Sequence, residues 1–266
     1  MDSHAVLAAY DDQIRRNPAP DGPDGLVERD GGVVRSVAPE HGWNGVTWSD
    51  LDEDTADAAI AAQVARFAEV SRPWEWKHYS HDRPADLPER LVAAGLTREP
   101  EETLLVADVA DLALDVAPPP GVELVDVVDE AGAEALVRVH DEVFGGDHSA
   151  IGRHVLDGLA RRPPTVAAVV ATAEGRPVCA GRLELHHGTD FASIWGGGTL
   201  PEWRGRGVFR AVVAYRAAQA AAHGFRYVQV DASPDSRPIL RRLGFVELAT
   251  TTPFTHPGGV EAGQGR

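Results

Sequence analysis

The segment Gly196-Gly197-Gly198-Thr199-Leu200-Pro201-Glu202-Trp203-Arg204-Gly205-Arg206-Gly207-Val208-Phe209-Arg210 restricts the fold more than any other part of the chain. The residues Phe191 to Trp195 ahead of it suit a strand, and a helix follows it to about Ala222. Proline cannot donate to a strand ladder, so Pro201 ends the strand, and the glycines allow backbone conformations that side chains block. The first N–H groups of the helix have no intrahelical partner and point back into the turn, where Arg204 and Arg206 add forked donors. An amide nest at a positive helix end is what a pyrophosphate needs. The dinucleotide fingerprint G-x-G-x-x-G and the P-loop ending G-K-S/T are both absent.

Strand and helix patterns alternate around this turn. Val122, Leu124 and Val127 suggest a strand, and Asp129 stands where it can cap a helix from Ala131 to Phe144. Leu136, Val139 and Val143 share one face of that helix, and a second helix spans about Ser149 to Ala160 after the Gly145-Gly146 break. Thr165 to Ala171 is almost continuously apolar, as in a strand buried on both faces. Glu174-Gly175-Arg176-Pro177 turns it into Val178 to Leu185, and His187-Gly188-Thr189-Asp190 turns again into Phe191. A strand from Tyr227 to Asp231, a short helix near Ile239 to Leu243 and a last strand from Phe245 complete an α/β chain, with antiparallel hairpins feeding a mixed sheet.

The triple proline in Val116-Ala117-Pro118-Pro119-Pro120-Gly121 stiffens a linker, which divides the chain into domains 1–117 and 118–266. Asn17 to Gly25 is an expected loop, and the tail after His256 is expected to fray. The earlier half echoes the later one. Ala56 to Glu69 is a helix before Trp74 to Tyr79, and a short helix from Leu87 to Ala94 ends in Gly95-Leu96 before the strand Thr103 to Val106. Arg90 to Leu96 thus corresponds to Arg241 to Phe245, as in a tandem duplication with a decayed first copy.

Lys and Arg number 25 against 41 Asp and Glu, a formal net charge of −16. A field of that sign repels nucleic acid and anionic lipid and favours cationic partners. One cysteine excludes an internal disulfide, and Cys179 reads as a small core residue. No basic, apolar leader and no membrane-length apolar stretch is visible, so a cytoplasmic protein is expected. His140, His148 and His154 have helical spacing without a supporting motif, and no metal is expected.

The turn resembles the R/Q-x-x-G-x-G/A signature of the GNAT superfamily of acyl-CoA N-acyltransferases. Arg204 and Gly207 match its arginine and first glycine, while Phe209 departs from the final small residue. Strand Tyr227 to Asp231 and the segment Ser233 to Phe245 look like the family's closing strand, helix and Gly-Phe pair. The resemblance covers Gly121 to His256, with the first half a degenerate copy, and implies a GNAT-like central sheet with flanking helices in two halves. By that resemblance Arg204, Gly205, Arg206, Gly207, Val208, Phe209 and Arg210 bind acetyl-CoA at its pyrophosphate, and Gly198, Thr199 and Leu200 pair with the pantetheine amides. The strand then splays from Tyr227 to Asp231, and Gly196 to Gly198 suit a bulge there. The first copy lacks such a turn, and Asp50, Asp52, Glu53 and Asp54 precede its helix, so it is expected to have no CoA site.

The resemblance further implies acetyl transfer to the primary amine of a small, cationic molecule by direct attack in a ternary complex, by a monomer or homodimer. The family's usual tyrosine acid falls at Leu240, which leaves Ser233 and Ser236 as nearby hydroxyls. Glu184 and His186 lie on one face of their strand and are the candidate bases, with His187 on the other face. Asp141, Glu142, Asp147 and His148 surround the helix connection and are suited to attract a cation. The competing reading is a CoA-binding or ligand-sensing protein with weakened catalysis, motivated by the missing tyrosine and by Phe209.

Overall fold

A first unit comprises Asp2–Leu104 together with Leu248–Arg266, and the computed structural model describes residues 1–22, 24–38 and 42–258 of the chain. Helix α1 (Ser3–Tyr10) starts where the Asp2 carboxylate accepts the N–H groups of His4 and Ala5, and continues into a π-helical turn, Asp11–Arg16. Strands β1 (Leu26–Asp30), β2 (Val33–Val37) and β3 (Gly45–Ser49) form an antiparallel meander. Helix α2 (Ala56–Val70) carries the chain to β4 (Trp74–Tyr79), which runs parallel to β3. Helix α3 (Leu87–Ala93), β5 (Thr97–Arg98) and β6 (Glu102–Asp108) follow. Ile60 and Phe67 of α2 close the core against Trp74, Trp76, Leu87 and Leu91. The sequence reading did not anticipate α1 or β1 to β3. The expected tail beyond Gly258 and Pro23 of the expected loop lie outside the described residues.

The second unit is Leu105–Glu247. It contains β7 (Val122–Asp126), α4 (Glu130–Phe144), α5 (Ser149–Ala160), β8 (Val166–Ala173), β9 (Arg176–Leu185), β10 (Phe191–Thr199), α6 (Val208–Ala222), β11 (Tyr227–Ala232) and α7 (Arg237–Arg242), and it ends in the start of β12 (Val246–His256). Asp129 caps α4 through the Gly132 N–H at 2.9 Å, and positive φ at Glu174 and Gly175 makes the tight turn from β8 to β9. Strands β7 to β10 are antiparallel neighbours, and β11 joins β10 in parallel. One face of this sheet packs Leu183, Ile194 and Val228 against Val213, Ala217 and Leu240 of α6 and α7. The other face packs Val166, Ala168 and Ala180 against Leu136, Val139 and Val155 of α4 and α5.

Each unit therefore holds an antiparallel meander, a crossover helix and a parallel strand, β3–α2–β4 in one and β10–α6–β11 in the other. This is the α/β mixed sheet with flanking helices in two halves that the sequence led us to expect. The contacts divide the chain at Leu104, ahead of the proline run at which the sequence reading places its boundary. Strand β6 crosses that point, and its Leu105 and Ala107 lie in the core of the second unit, with β11 its neighbour there. Conversely, Thr251–His256 of β12 pairs with β4 in the first unit, and β5 adds to it at Thr97 and Arg98.

Candidate active site

Gly205 and Gly207 have φ of +72° and +90°, the left-handed region that favours glycine, and Gly207 is the cap residue of α6. No side chain caps this helix and no acidic residue occupies its first turn. Its first bond runs from Ala211 N–H to the Gly207 carbonyl, so the N–H groups of Val208, Phe209 and Arg210 lack intrahelical acceptors. Arg204 donates through Nε to the Thr199 carbonyl at 3.1 Å, and Arg206 stacks over the Trp203 ring at 4.7 Å. Arg210 lines an open cleft with Leu112, Val116, Val213 and Leu243. The turn thus joins the end of β10 to an open, positively polarised cradle.

The same helix position in the first unit is closed. There the Asp52 carboxylate accepts the N–H groups of Asp54 and Thr55 and the Thr55 hydroxyl, and Asp57 occupies the first turn of α2.

Strand β10 bulges where the glycines stand. Trp195 is opposite Arg182 and Gly198 opposite Ala180, so β10 spends one more residue than β9 over this interval. Its pairing with β11 covers only Phe191, Ala192 and Ser193, although β10 continues to Thr199. Gly196 has φ of +59°, and its carbonyl lies 2.8 Å from His140 Nε2 of α4. A Cβ at Gly197 would stand 2.8 Å from the Phe209 ring, and one at Gly198 3.2 Å from the Phe144 ring. The glycines let α4 and α6 close on the strand from opposite faces, and Phe209, the departure from the family pattern, rests where Gly197 makes room. Behind the bulge, buried Arg216 donates to the carbonyls of Arg182, Trp195 and Val212; burial lowers its pKa to about 10, so it stays charged at neutral pH.

Two polar groups share the α4/α5 face of the sheet, because Glu184, Ser193 and Gln229 occupy one rung. Glu184 accepts from Arg182 Nε at 2.8 Å and lies 3.0 Å from His154 Nε2. Burial alone would raise its pKa, but the hydrogen bonds and charges of His154 and Arg182 bring it down to about 2. Glu184 is therefore ionised throughout the neutral range. Below it in the splay, Gln229 Nε2 donates to Ser193 Oγ at 2.5 Å, and His186 Nε2 lies 2.6 Å from the same oxygen. Burial lowers the pKa of His186, which favours the neutral ring, and Gln229 Oε1 is buried with no hydrogen-bond partner.

The other residues singled out from the sequence have structural occupations. Exposed Ser233 holds the turn into α7, its Oγ accepting the Ser236 N–H at 3.3 Å. Leu240 is buried in the core, and so is Cys179, whose thiol burial pushes up to about 11. Glu142 pairs with Arg176, Asp147 caps the Ser149 N–H at 2.8 Å, and Asp141 binds His148. Ser193 and Gln229 escaped the sequence reading, which named Asp141 and His148 but not their pairing; the rung shared with Glu184 points to the first two only once the register is known. Among the described residues no group of three or more His, Cys, Asp or Glu is placed to hold a metal, and no helix is long and apolar enough to cross a membrane.

Removing the Glu184 charge leaves Arg182 without its carboxylate in a largely buried place. Glu184→Gln is expected to cost about 3 kcal/mol, a fall of roughly 6–10 °C in Tm, measurable by circular dichroism at pH 7. Because the folded pKa is depressed, this contribution is present above the ordinary carboxylate value of about 4.3. It fades as pH falls towards about 2, so the difference between the two proteins should shrink in acid.

Residues 133–245 match the family model described as Acetyltransferase (GNAT) family. A GCN5-related N-acetyltransferase from Kribbella flavida shares the fold with a TM-score of 0.70 over 98% of each chain, at 22% identity. One from Sphaerobacter thermophilus gives 0.59 at 14% identity, over 97% of this chain and 86% of that one. A tandem GNAT protein from the clavulanic acid biosynthesis pathway also gives 0.59 at 15% identity, over 91% of this chain and 86% of that one. No curated protein matches the chain. The matched segment begins in α4, ends at Phe245 and contains the bulged strand, the open helix end and the splay, so residues 133–245 of the second unit are what matches the GNAT acetyltransferase family.

Proposed function

We propose that the second unit is an acetyl-CoA-dependent N-acetyltransferase acting on the primary amine of a small cationic molecule, by direct attack in a ternary complex. The observation that carries this reading is the uncapped start of α6 at the end of a bulged, splayed strand. The Val208, Phe209 and Arg210 amides, with Arg206 beside them, fit a pyrophosphate. The stretch of β10 after Ser193, where the pairing with β11 has ended, suits an extended amide chain along that edge. Acetyl-CoA supplies an activated acetyl thioester; the rest of the work falls to residues of this chain.

Glu184, named from the sequence as a base, serves in this reading as a fixed negative charge that orients Arg182 and His154, since a carboxylate with a pKa of about 2 is a weak proton acceptor. His186, Ser193 and Gln229 line the vertex of the splay, where Gln229 has unused hydrogen-bonding capacity. The net charge of −16 draws a cationic amine. Only the neutral amine attacks a thioester, so a proton must leave it after binding.

Titration calorimetry of the full chain with CoA tests the site, and release of free thiol from acetyl-CoA with a set of primary amines tests the reaction. Absence of CoA heat would overturn the site. The KM for a cationic amine is expected to rise with salt while kcat changes less, because screening weakens attraction more than chemistry. The second reading, CoA binding with weakened catalysis, rests on Leu240 being buried where the family tyrosine would stand. It predicts CoA heat without thiol release.

A further inference from the structure

We propose that His148, oriented by Asp141, is the general base that takes the proton from the acceptor amine at the β10 bulge. This rests on the acetyltransferase reading above and names a residue that the sequence offered only as part of an acidic, cation-attracting cluster.

The geometry is that of a base held by a carboxylate. Asp141 Oδ1 accepts the His148 backbone N–H at 2.9 Å and stands 2.9 Å from Nδ1 of the same residue. The carboxylate therefore favours the proton on Nδ1 and leaves the Nε2 lone pair as acceptor. Nε2 makes no hydrogen bond among the described residues. His148 precedes the first turn of α5, yet its side chain does not cap that helix. Capping is done by Asp147, so the imidazole has no structural task there. Its side chain is 24% exposed, enough to meet a substrate.

Placement connects this pair to the reaction centre. The His148 ring lies 5.7 Å from that of His140 and 6.1 Å from that of Phe144. Both of those residues touch the bulge from α4, His140 at the Gly196 carbonyl and Phe144 beside Gly198. His148 therefore stands one side chain away from the glycines on the α4 side, behind His140 and Phe144, while the open start of α6 follows the end of the same strand. His140 is a poor competitor as base. It is buried, its Nε2 is committed to Gly196, and burial together with the charge of Arg182 pushes its pKa to about 4.

The charged and titratable groups around His148 are Asp141 and His140 on α4 and Asp147 at the start of α5, with Arg182 acting on His140 and Arg153 on Asp147. Gly196 to Gly198 on β10 add none. The proton balance is complete without a further reactant. The bound ammonium gives one proton to Nε2, and the freed nitrogen pair forms the bond to the acetyl carbon as the carbon–sulfur bond breaks. The second nitrogen proton passes to the departing thiolate, and His148 returns its own proton to water. An amide, free CoA and one released proton result.

The test uses the full chain with acetyl-CoA and putrescine, tyramine and glucosamine as acceptors, following thiol release across pH 5.5–9. For an acceptor that turns over, H148Q is expected to lower kcat by about 10²–10⁴-fold, with CoA affinity by calorimetry unchanged and the acid limb of the pH profile lost. His148→Gly should recover part of its rate with added imidazole, which a merely structural role would not produce. Should H148Q lose CoA binding, Asp141→Asn replaces it, and at least a tenfold fall in kcat at constant KM for acetyl-CoA is expected. H148Q kinetics within threefold of the unaltered protein, or a D141N protein of undiminished kcat, would overturn the assignment and leave the acetyltransferase reading standing. No thiol release by the unaltered protein with any of the three amines would count against both.

Discussion

Gly205→Asp should yield no measurable heat with CoA under conditions that saturate the unaltered chain, and should keep its melting temperature within about 5 °C. A Cβ at Gly205 meets nothing within 4 Å, so the added side chain has room. Its φ of +72° is strained for most residues, but aspartate tolerates the left-handed region better than most, at a cost of roughly 1–2 kcal/mol. The damage is electrostatic. The new carboxylate stands next to the unpaired amides of Val208 to Arg210, where it occupies the place of an anion and repels a pyrophosphate. Gly205→Asn, which has the same shape without the charge, should retain part of the affinity. Arg206→Ala should cost about 1.5–3 kcal/mol, the worth of one charged hydrogen bond, because the backbone donors remain. Full CoA affinity in a folded Gly205→Asp protein would mean that the phosphates bind elsewhere.

Cutting the chain at the proline run should be more destructive. A Pro118–Arg266 fragment is expected to be recovered as aggregate or as a species without a cooperative melt. It lacks Leu105, Ala107 and Val109, which are buried in the core of the second unit. Burial of a Leu or Val side chain is worth about 1.5–3 kcal/mol, so losing these three removes about 4–6 kcal/mol from a domain whose whole stability is of order 5–15 kcal/mol. It also bares the edge of β11 that β6 otherwise covers, an invitation to pair with another chain. Residues 251–256 would meanwhile have no β4 to pair with. A Leu105–Glu247 fragment, which keeps β6 residues and omits that strand, is expected to behave better in size-exclusion chromatography and thermal melts. A monomeric Pro118–Arg266 fragment with an unchanged Tm would show that the exchanged strands contribute little.

Much of the second unit was legible because its signals are local. Asp129 marks the start of α4, Glu174-Gly175 the hairpin, and Pro201 with Gly205 and Gly207 the passage from strand to helix. The first unit was less readable at its start. Leu26-Val27-Glu28-Arg29-Asp30 looks like a polar surface, and Arg35 in the middle of β2 argues against a buried strand. Arg35 is nevertheless buried, because Glu28 on the neighbouring strand and Gln63 on α2 accept its hydrogen bonds at 2.6 and 2.7 Å. Neither partner is near Arg35 in a pattern that periodicity reveals.

The sequence by itself determined the parts that depend on one residue's own backbone: where glycine must allow a left-handed turn, where proline must end a strand, and where a helix must begin with open amides. Those features located the turn and open helix start to which we assign coenzyme binding. The tertiary structure alone decided which strand each half receives last, since pairing energies depend on partners far along the chain. It likewise decided the chemistry of the polar side chains. Glu184 has its pKa brought down to about 2 only because the fold converges His154 and Arg182 on it. His148 looked like one charge among several until the Gly145-Gly146 break folded it back onto Asp141. A proton affinity is a property of surroundings, and only the folded chain supplies them.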